Sequence, residues 1–317
     1  MYNWKILFSE NPDLSIDFTG LYPAFLTPRD QNLKFAPAVA EQLLHHLMQF
    51  NFAGTYIAGS TGEGLRMSVD QRKELLQTLM PVLPPGKKMI VHVGAADVHD
   101  SIALAEHAAK HGAHAISSLP PDSDSAGVHD FYRELAQQSV IPLILYNIPK
   151  VAPRAFSDPQ ELIDICERPN VIGVKFTDFN FYLLQRLVKR GNLVFNGYDE
   201  ALAAGLLMGA QGGIGSTYNL MPGVYEKIFQ ATQGGDWETA RFWQSRSNAV
   251  LEILLRYPFF PALREAMRHL GFDCGPLLSG ESLGSSSERE ALLSDLDREM
   301  PKEVVELMER PLGARSL

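Results

Sequence analysis

The chain has 317 residues, 45% of them hydrophobic, and a formal net charge of -9. That is enough apolar material for one large α/β core, and an acidic chain without a basic run argues against nucleic acid and anionic membranes as partners, leaving small molecules. Two cysteines, Cys166 and Cys274, give neither a disulfide framework nor a metal-ligand spacing and suit a reducing, cytoplasmic compartment.

Residues 1–15 hold too short an apolar stretch for a secretory signal and lack the arginine-rich pattern of a transit peptide. No run approaches the length of a membrane span, so a soluble, cytoplasmic protein is expected. From about residue 18 to about 232, short apolar runs alternate with longer amphipathic ones. Taken in chain order, the pattern predicts strand 18–24 with helix 36–50, then 54–58 with 68–80, 88–93 with 98–110, and 113–118 with 127–138. It continues with 142–146 and 158–166, 171–176 and 179–190, 193–196 and 199–208, and finally 212–216 and 221–232. Ser68 followed by Gln71 suits a capping box, and Asp158 precedes Pro159 at a first helical position.

Eight strand-then-helix units predict an α/β fold of the (β/α)8 TIM-barrel type over residues 16–235. A doubly wound sheet would carry G-x-G-x-x-G after its first strand, and residues 20–30 do not. Helices predicted over 236–256 and 258–270, a loop over 280–288, and one or two charged helices over 289–311 make residues 236–317 a C-terminal helical extension packed on the barrel. His107, His111 and His114 have a helical spacing, but Gly112 interrupts them and no carboxylate stands in zinc-ligand register, so no metal is expected.

In such a barrel the active site lies at the C-terminal ends of the strands, which makes the polar residues after each apolar run candidates by position. Lys175 ends the wholly apolar run Val171–Phe176, and burial favours the uncharged, nucleophilic amine that forms a Schiff base with a carbonyl. The alternative is a strand-end lysine whose ammonium reaches solvent. Ser60 and Thr61, set among glycines, suit the anchoring of a carboxylate or form an ordinary tight turn. Tyr146 is either a proton carrier or a tyrosine capping the core. Asp199 and Glu200 suit the hydroxyls of a polyol or cap the following helix.

The segments GSTGEG at 59–64, YNIP at 146–149, GVKF at 173–176, NGYDE at 196–200 and GGIGSTYN at 212–219 resemble the dihydrodipicolinate synthase and N-acetylneuraminate lyase family of class I aldolases. The resemblance covers roughly residues 18–260 and implies a barrel with C-terminal helices, a homotetramer, and a lysine imine with pyruvate at Lys175 without a metal or other cofactor. The synthase branch carries an arginine five residues after its tyrosine, and Val151 stands there. The lyase branch is the closer match: residues matching Gly197, Asp199, Glu200 and Ser216 hold the polyhydroxylated tail of the sugar in it, and Thr177 matches a substrate-contact position. Its implied substrate is N-acetylneuraminate, cleaved to N-acetylmannosamine and pyruvate. A 2-keto-3-deoxy sugar acid aldolase, a dihydrodipicolinate synthase and a non-catalytic keto-acid-binding protein are the alternatives. One departure stands out: the family's strand-four segment supplies a tyrosine to a neighbouring subunit, and residues 118–124 contain no aromatic.

Overall fold

The computed structural model describes residues 16–156 and 158–308. The readings of residues 1–15 as free of a leader and of 309–311 as helix lie outside these residues. The strands are β1 (Gly20–Pro23), β2 (Gly54–Ile57), β3 (Lys88–His92), β4 (Ala115–Ser118), β5 (Leu143–Asn147), β6 (Val171–Phe176), β7 (Leu193–Asn196) and β8 (Gly212–Gly215). Each is followed by a helix: α1 (Pro37–Leu47), α2 (Val69–Leu79), α3 (Val98–Lys110), α4 (Ser125–Gln138), α5 (Pro159–Cys166), α6 (Phe181–Lys189), α7 (Leu202–Leu207) and α8 (Pro222–Gln233). All seven strand pairings from β2 round to β1 are parallel. The ring closes between β1 and β2 through a parallel bridge from Ala24 to Tyr56, with the Phe25 N–H donating to the Tyr56 carbonyl at 2.8 Å. The fold is a (β/α)8 TIM barrel with additional C-terminal helices.

Strand parity explains both the apolar runs and the site. Tyr22, Tyr56, Ile90, Ala115, Ile144, Phe195 and Ile214 fill the barrel interior, while their chain neighbours pack outward against the helices. Two residues beyond the interior layer, the same inward parity puts His92, Ser117 and Tyr146 at the mouth. β6 is the exception. Between Leu143 and Ile144 the register slips, because Val171 pairs with Leu143 and Gly173 with Ile144, leaving Ile172 as an extra residue that joins the interior cluster. This bulge resets the parity, so Lys175 comes opposite Tyr146 while Val174 and Phe176 face the helices, the reverse of an unbroken alternation from Val171.

The capping signals hold. Ser68 and Gln71 form a reciprocal capping box on α2, and Asp158 accepts from the Gln160 N–H at the start of α5. Some boundaries differ from the sequence expectation. α4 starts at Ser125 because Asp124 caps it, accepting from the Gly127 N–H. The segment after β7 begins as a 3-10 turn, Asp199–Ala201, before α7. Downstream lie α9 (Trp237–Leu254), α10 (Phe259–His269), α11 (Ser286–Glu299) and α12 (Lys302–Met308). A capping box from Ser285 to Glu288 starts α11 inside the stretch expected as loop, and Pro301 separates it from α12. Among the described residues no helix is long and apolar enough to cross a membrane.

Candidate active site

Lys175 is 4% exposed, and its Nζ lies 4.1 Å from the ring centroid of Tyr146 and 4.8 Å from that of Tyr56. The amine is thus held between two aromatic faces. Tyr146 is also buried, and its ring meets His92 edge-on at 6.4 Å.

The turn after β2 is tied to itself and to β8. The Glu63 N–H donates to the Ser60 carbonyl and the Gly64 N–H to the Gly59 carbonyl, both at 3.0 Å. Thr61 is buried, and its Oγ1 lies 2.7 Å from Ser216 Oγ, 155 residues away in sequence. Ser60 is half-buried on the same turn. The structure therefore brings Thr61 and Ser216 into contact, with Ser60 adjacent.

Beyond Lys175, the Thr177 N–H donates to the Asn147 carbonyl and the Gly197 N–H to the Phe176 carbonyl, extending the ladder past the strand ends. Thr177 Oγ1 is buried without a hydrogen-bond partner. A Cβ on Gly197 would lie 2.0 Å from that oxygen, so only glycine lets β7 pass so close to the hydroxyl. A buried hydroxyl lacking a partner is costly, by roughly 1–3 kcal/mol, unless a ligand completes it.

Asp199 is buried, and its Oδ2 accepts from the Thr217 N–H at 2.7 Å and from Thr217 Oγ1 at 2.6 Å. Burial pushes its pKa up to about 6, against the downward pull of the two Thr217 bonds. A carboxyl whose folded-state pKa is raised favours the native state in its protonated form. That contribution is complete below the unfolded value of about 3.8 and is lost as pH rises through about 6. Glu200 is half-buried beside it. α9 fixes the backbone of both, since Gln244 Nε2 donates to the Asp199 carbonyl at 3.0 Å and Asn248 Nδ2 to the Glu200 carbonyl at 3.1 Å.

Two residues around Tyr146 and Lys175 were not anticipated from the sequence. Tyr56 lies within β2, fully buried, and its hydroxyl donates to Ser117 Oγ at 3.2 Å. His92 ends β3; its Nε2 accepts the Leu119 N–H at 3.0 Å, and Arg72 Nη2 stands 3.3 Å from its Nδ1. Burial, with the charges of Arg72 and Lys175, holds its pKa well below the usual value, so the ring is neutral. Their only sequence signal was inward parity within an apolar run, and the expectation rested on residues just after the runs.

The two branch-specific positions are also placed. Val151 is an exposed side chain on the turn after β5, and Arg154 pairs at the surface with Asp122 at 2.5 Å. In the segment lacking an aromatic, Ser118 Oγ bonds to the Leu119 carbonyl at 2.7 Å and Asp124 caps α4. Among the described residues no group of three His, Cys, Asp or Glu is arranged to hold a metal ion. His107 and His111 stack at 4.0 Å, while His114 Nδ1 accepts from the Met89 N–H.

The model of the Dihydrodipicolinate synthetase family matches residues 17–295. The chain is 34% identical over 262 residues to an N-acetylneuraminate lyase of Rhizobium meliloti, covering 81% of this chain and 87% of that protein. It is 32% identical over 270 residues to an N-acetylneuraminate lyase of Escherichia coli, covering 83% and 91%. Among solved structures, the wild-type sialic acid aldolase of Ruminococcus gnavus superposes with a TM-score of 0.82 at 25% identity, over 92% of this chain and 97% of that one.

Proposed function

The chain belongs to the dihydrodipicolinate synthetase family, and from that premise we propose that it cleaves N-acetylneuraminate to N-acetylmannosamine and pyruvate through an imine on Lys175. The observation that carries the reading is the Lys175 amine, buried at the end of β6 between the rings of Tyr146 and Tyr56; Thr61, Thr177, Asp199 and Ser216 support it by following the C-terminal ends of β2, β6, β7 and β8. Both relatives described above are N-acetylneuraminate lyases at 32–34% identity. An exposed Val151 in place of the synthase arginine supports the same branch. The protein acts in this reading as a cytoplasmic homotetramer on a small 2-keto sugar acid, without metal or cofactor.

The chemistry starts with the substrate carboxylate on Ser60, Thr61 and nearby N–H groups. Lys175 Nζ attacks the C2 ketone, and the carbinolamine loses water to give a protonated imine. Tyr146, with the substrate's own carboxylate, takes the proton from the C4 hydroxyl. The C3–C4 bond then breaks, its electron pair moving through C3 to the imine nitrogen, and C4 leaves as the aldehyde of N-acetylmannosamine. Protonation of the enamine at C3 and addition of water release pyruvate and regenerate the lysine. Thr177, Gly197, Asp199, Glu200 and Ser216 are the residues assigned to the polyhydroxylated tail, where carboxylates accept hydroxyl protons and would repel phosphate.

Borohydride reduction in the presence of N-acetylneuraminate tests this directly. Intact mass should show a pyruvate-sized adduct, mapped to Lys175, which requires binding, imine formation and cleavage together. An adduct from pyruvate alone would move the substrate to another 2-keto sugar acid, and no adduct in either case would end the Schiff-base reading.

Asp199 gives the reaction a pH signature. Its carboxyl accepts a substrate hydroxyl more strongly when ionised, so KM for N-acetylneuraminate should rise as pH falls through about 6. In Asp199→Asn that limb should vanish at a KM already raised by about tenfold. Steady-state kinetics from pH 5 to 8 decide it, and an unchanged limb in the variant would assign the titration to another group.

A further inference from the structure

Glu63 sits two residues past Thr61 and is 7% exposed, yet its backbone takes φ 58°, the left-handed region where a non-glycine residue is strained. Its carboxylate is fully engaged. Oε2 accepts from Arg29 Nη1 at 3.1 Å and from the Leu278 N–H at 3.0 Å, and Oε1 accepts from the Ser279 N–H at 3.0 Å. Arg264 Nη2 stands 3.7 Å away. The two guanidiniums extend the connection: Arg29 Nη2 donates to the Gly62 carbonyl at 3.4 Å, and Arg264 Nη1 donates to the carbonyls of Cys274 and Gly275. The Arg29 N–H itself donates to the Cys274 carbonyl at 3.0 Å. Segment 274–279, beyond α10, is thus fastened to the turn that carries Ser60 and Thr61.

We propose that Glu63 is a positioning residue for the keto-acid carboxylate, and that the backbone of Leu278 and Ser279 is the second half of the scaffold that holds the Ser60–Thr61 turn. The proposal rests on the Schiff-base reading above, since it concerns the anchor of that reaction's substrate. If this position served only to shape the turn, glycine would adopt φ 58° without strain. The side chain is kept because its carboxylate reaches residues 215 and 216 places further along the chain. The Glu63 N–H returns the constraint to the Ser60 carbonyl at 3.0 Å. Gly275 provides an independent handle on the far side: its φ is 65°, and a Cβ there would lie 1.9 Å from the Arg29 carbonyl oxygen, so alanine displaces the segment without touching the mouth.

The experiment titrates pyruvate against borohydride-trapped adduct in the full chain, with wild type, Glu63→Gln, Gly275→Ala and the double variant, and records melting temperatures alongside. Each single variant should raise the pyruvate concentration for half-maximal trapping by about tenfold, the scale of one charge-assisted hydrogen bond, with full adduct yield at saturation. The double variant should rise no further than the larger single effect, because both changes break the same connection. A purely structural role would lower the melting temperature and the maximal yield while leaving the half-trapping concentration within twofold of wild type, and that result overturns the proposal. So does a double variant in which the two shifts multiply. If Glu63→Gln does not fold, Gly275→Ala decides alone by the same criterion. A wild-type chain that traps no pyruvate removes the Schiff-base reading, and this inference with it.

Discussion

Replacing Lys175 by alanine should lower kcat/KM for N-acetylneuraminate by about 10⁴–10⁶-fold, the range seen when a covalent nucleophile is removed from an otherwise intact site. The residual rate would come from binding alone. Lys175→Arg sharpens the test. A guanidinium still occupies the space between the Tyr146 and Tyr56 rings but stays protonated, so it cannot attack a ketone. It should fold like the wild type and be as inactive as the alanine variant, and neither should trap an adduct with borohydride. Coupled detection of pyruvate measures the rate, and thermal denaturation separates chemistry from folding. More than about one per cent of wild-type activity in either variant would mean that another amine, or another mechanism, carries the reaction.

That the sequence pointed to Lys175 at all follows from a physical asymmetry. A parallel barrel strand is apolar on both faces, so a single lysine at its end is conspicuous against Val171, Ile172 and Val174. The count of eight strands and helices was legible for the same reason. Tyr56 and His92 were not, because tyrosine and histidine inside an apolar run look like core, and only inward parity combined with height in the barrel distinguishes them. The bulge at Ile172 was also invisible: one extra residue in a six-residue strand leaves no compositional mark, yet it decides that Lys175 faces Tyr146. Long-range pairs were beyond reach altogether. Thr61 with Ser216 and Glu63 with Leu278 join positions whose proximity depends on barrel closure and on the path of the chain after α10. Motif order, by contrast, carried the family resemblance, since five short segments in sequence order constrain a chain more tightly than any of them alone.

Tyr146→Phe is the second large effect and the more informative one. The ring should stay where it is, edge-on to His92 and 4.1 Å from Nζ, so the fold and the surroundings of the amine are kept while one hydroxyl is removed. A general acid–base group contributes about 10²–10⁴-fold, and kcat should fall by that factor with KM for N-acetylneuraminate changed less than about threefold. Stopped-time assays at saturating substrate measure it. The alternative proton carriers are the substrate's own carboxylate and Tyr56, whose ring stands 4.8 Å from Nζ but whose hydroxyl is already given to Ser117. A loss below tenfold in Tyr146→Phe would transfer the role to one of these. Tyr56→Phe would then choose between them, because it leaves the carboxylate untouched. If Tyr146→Phe carries the large loss and Tyr56→Phe does not, one phenol suffices for the proton transfer, and the absence of an aromatic from residues 118–124 ceases to be a gap in the mechanism.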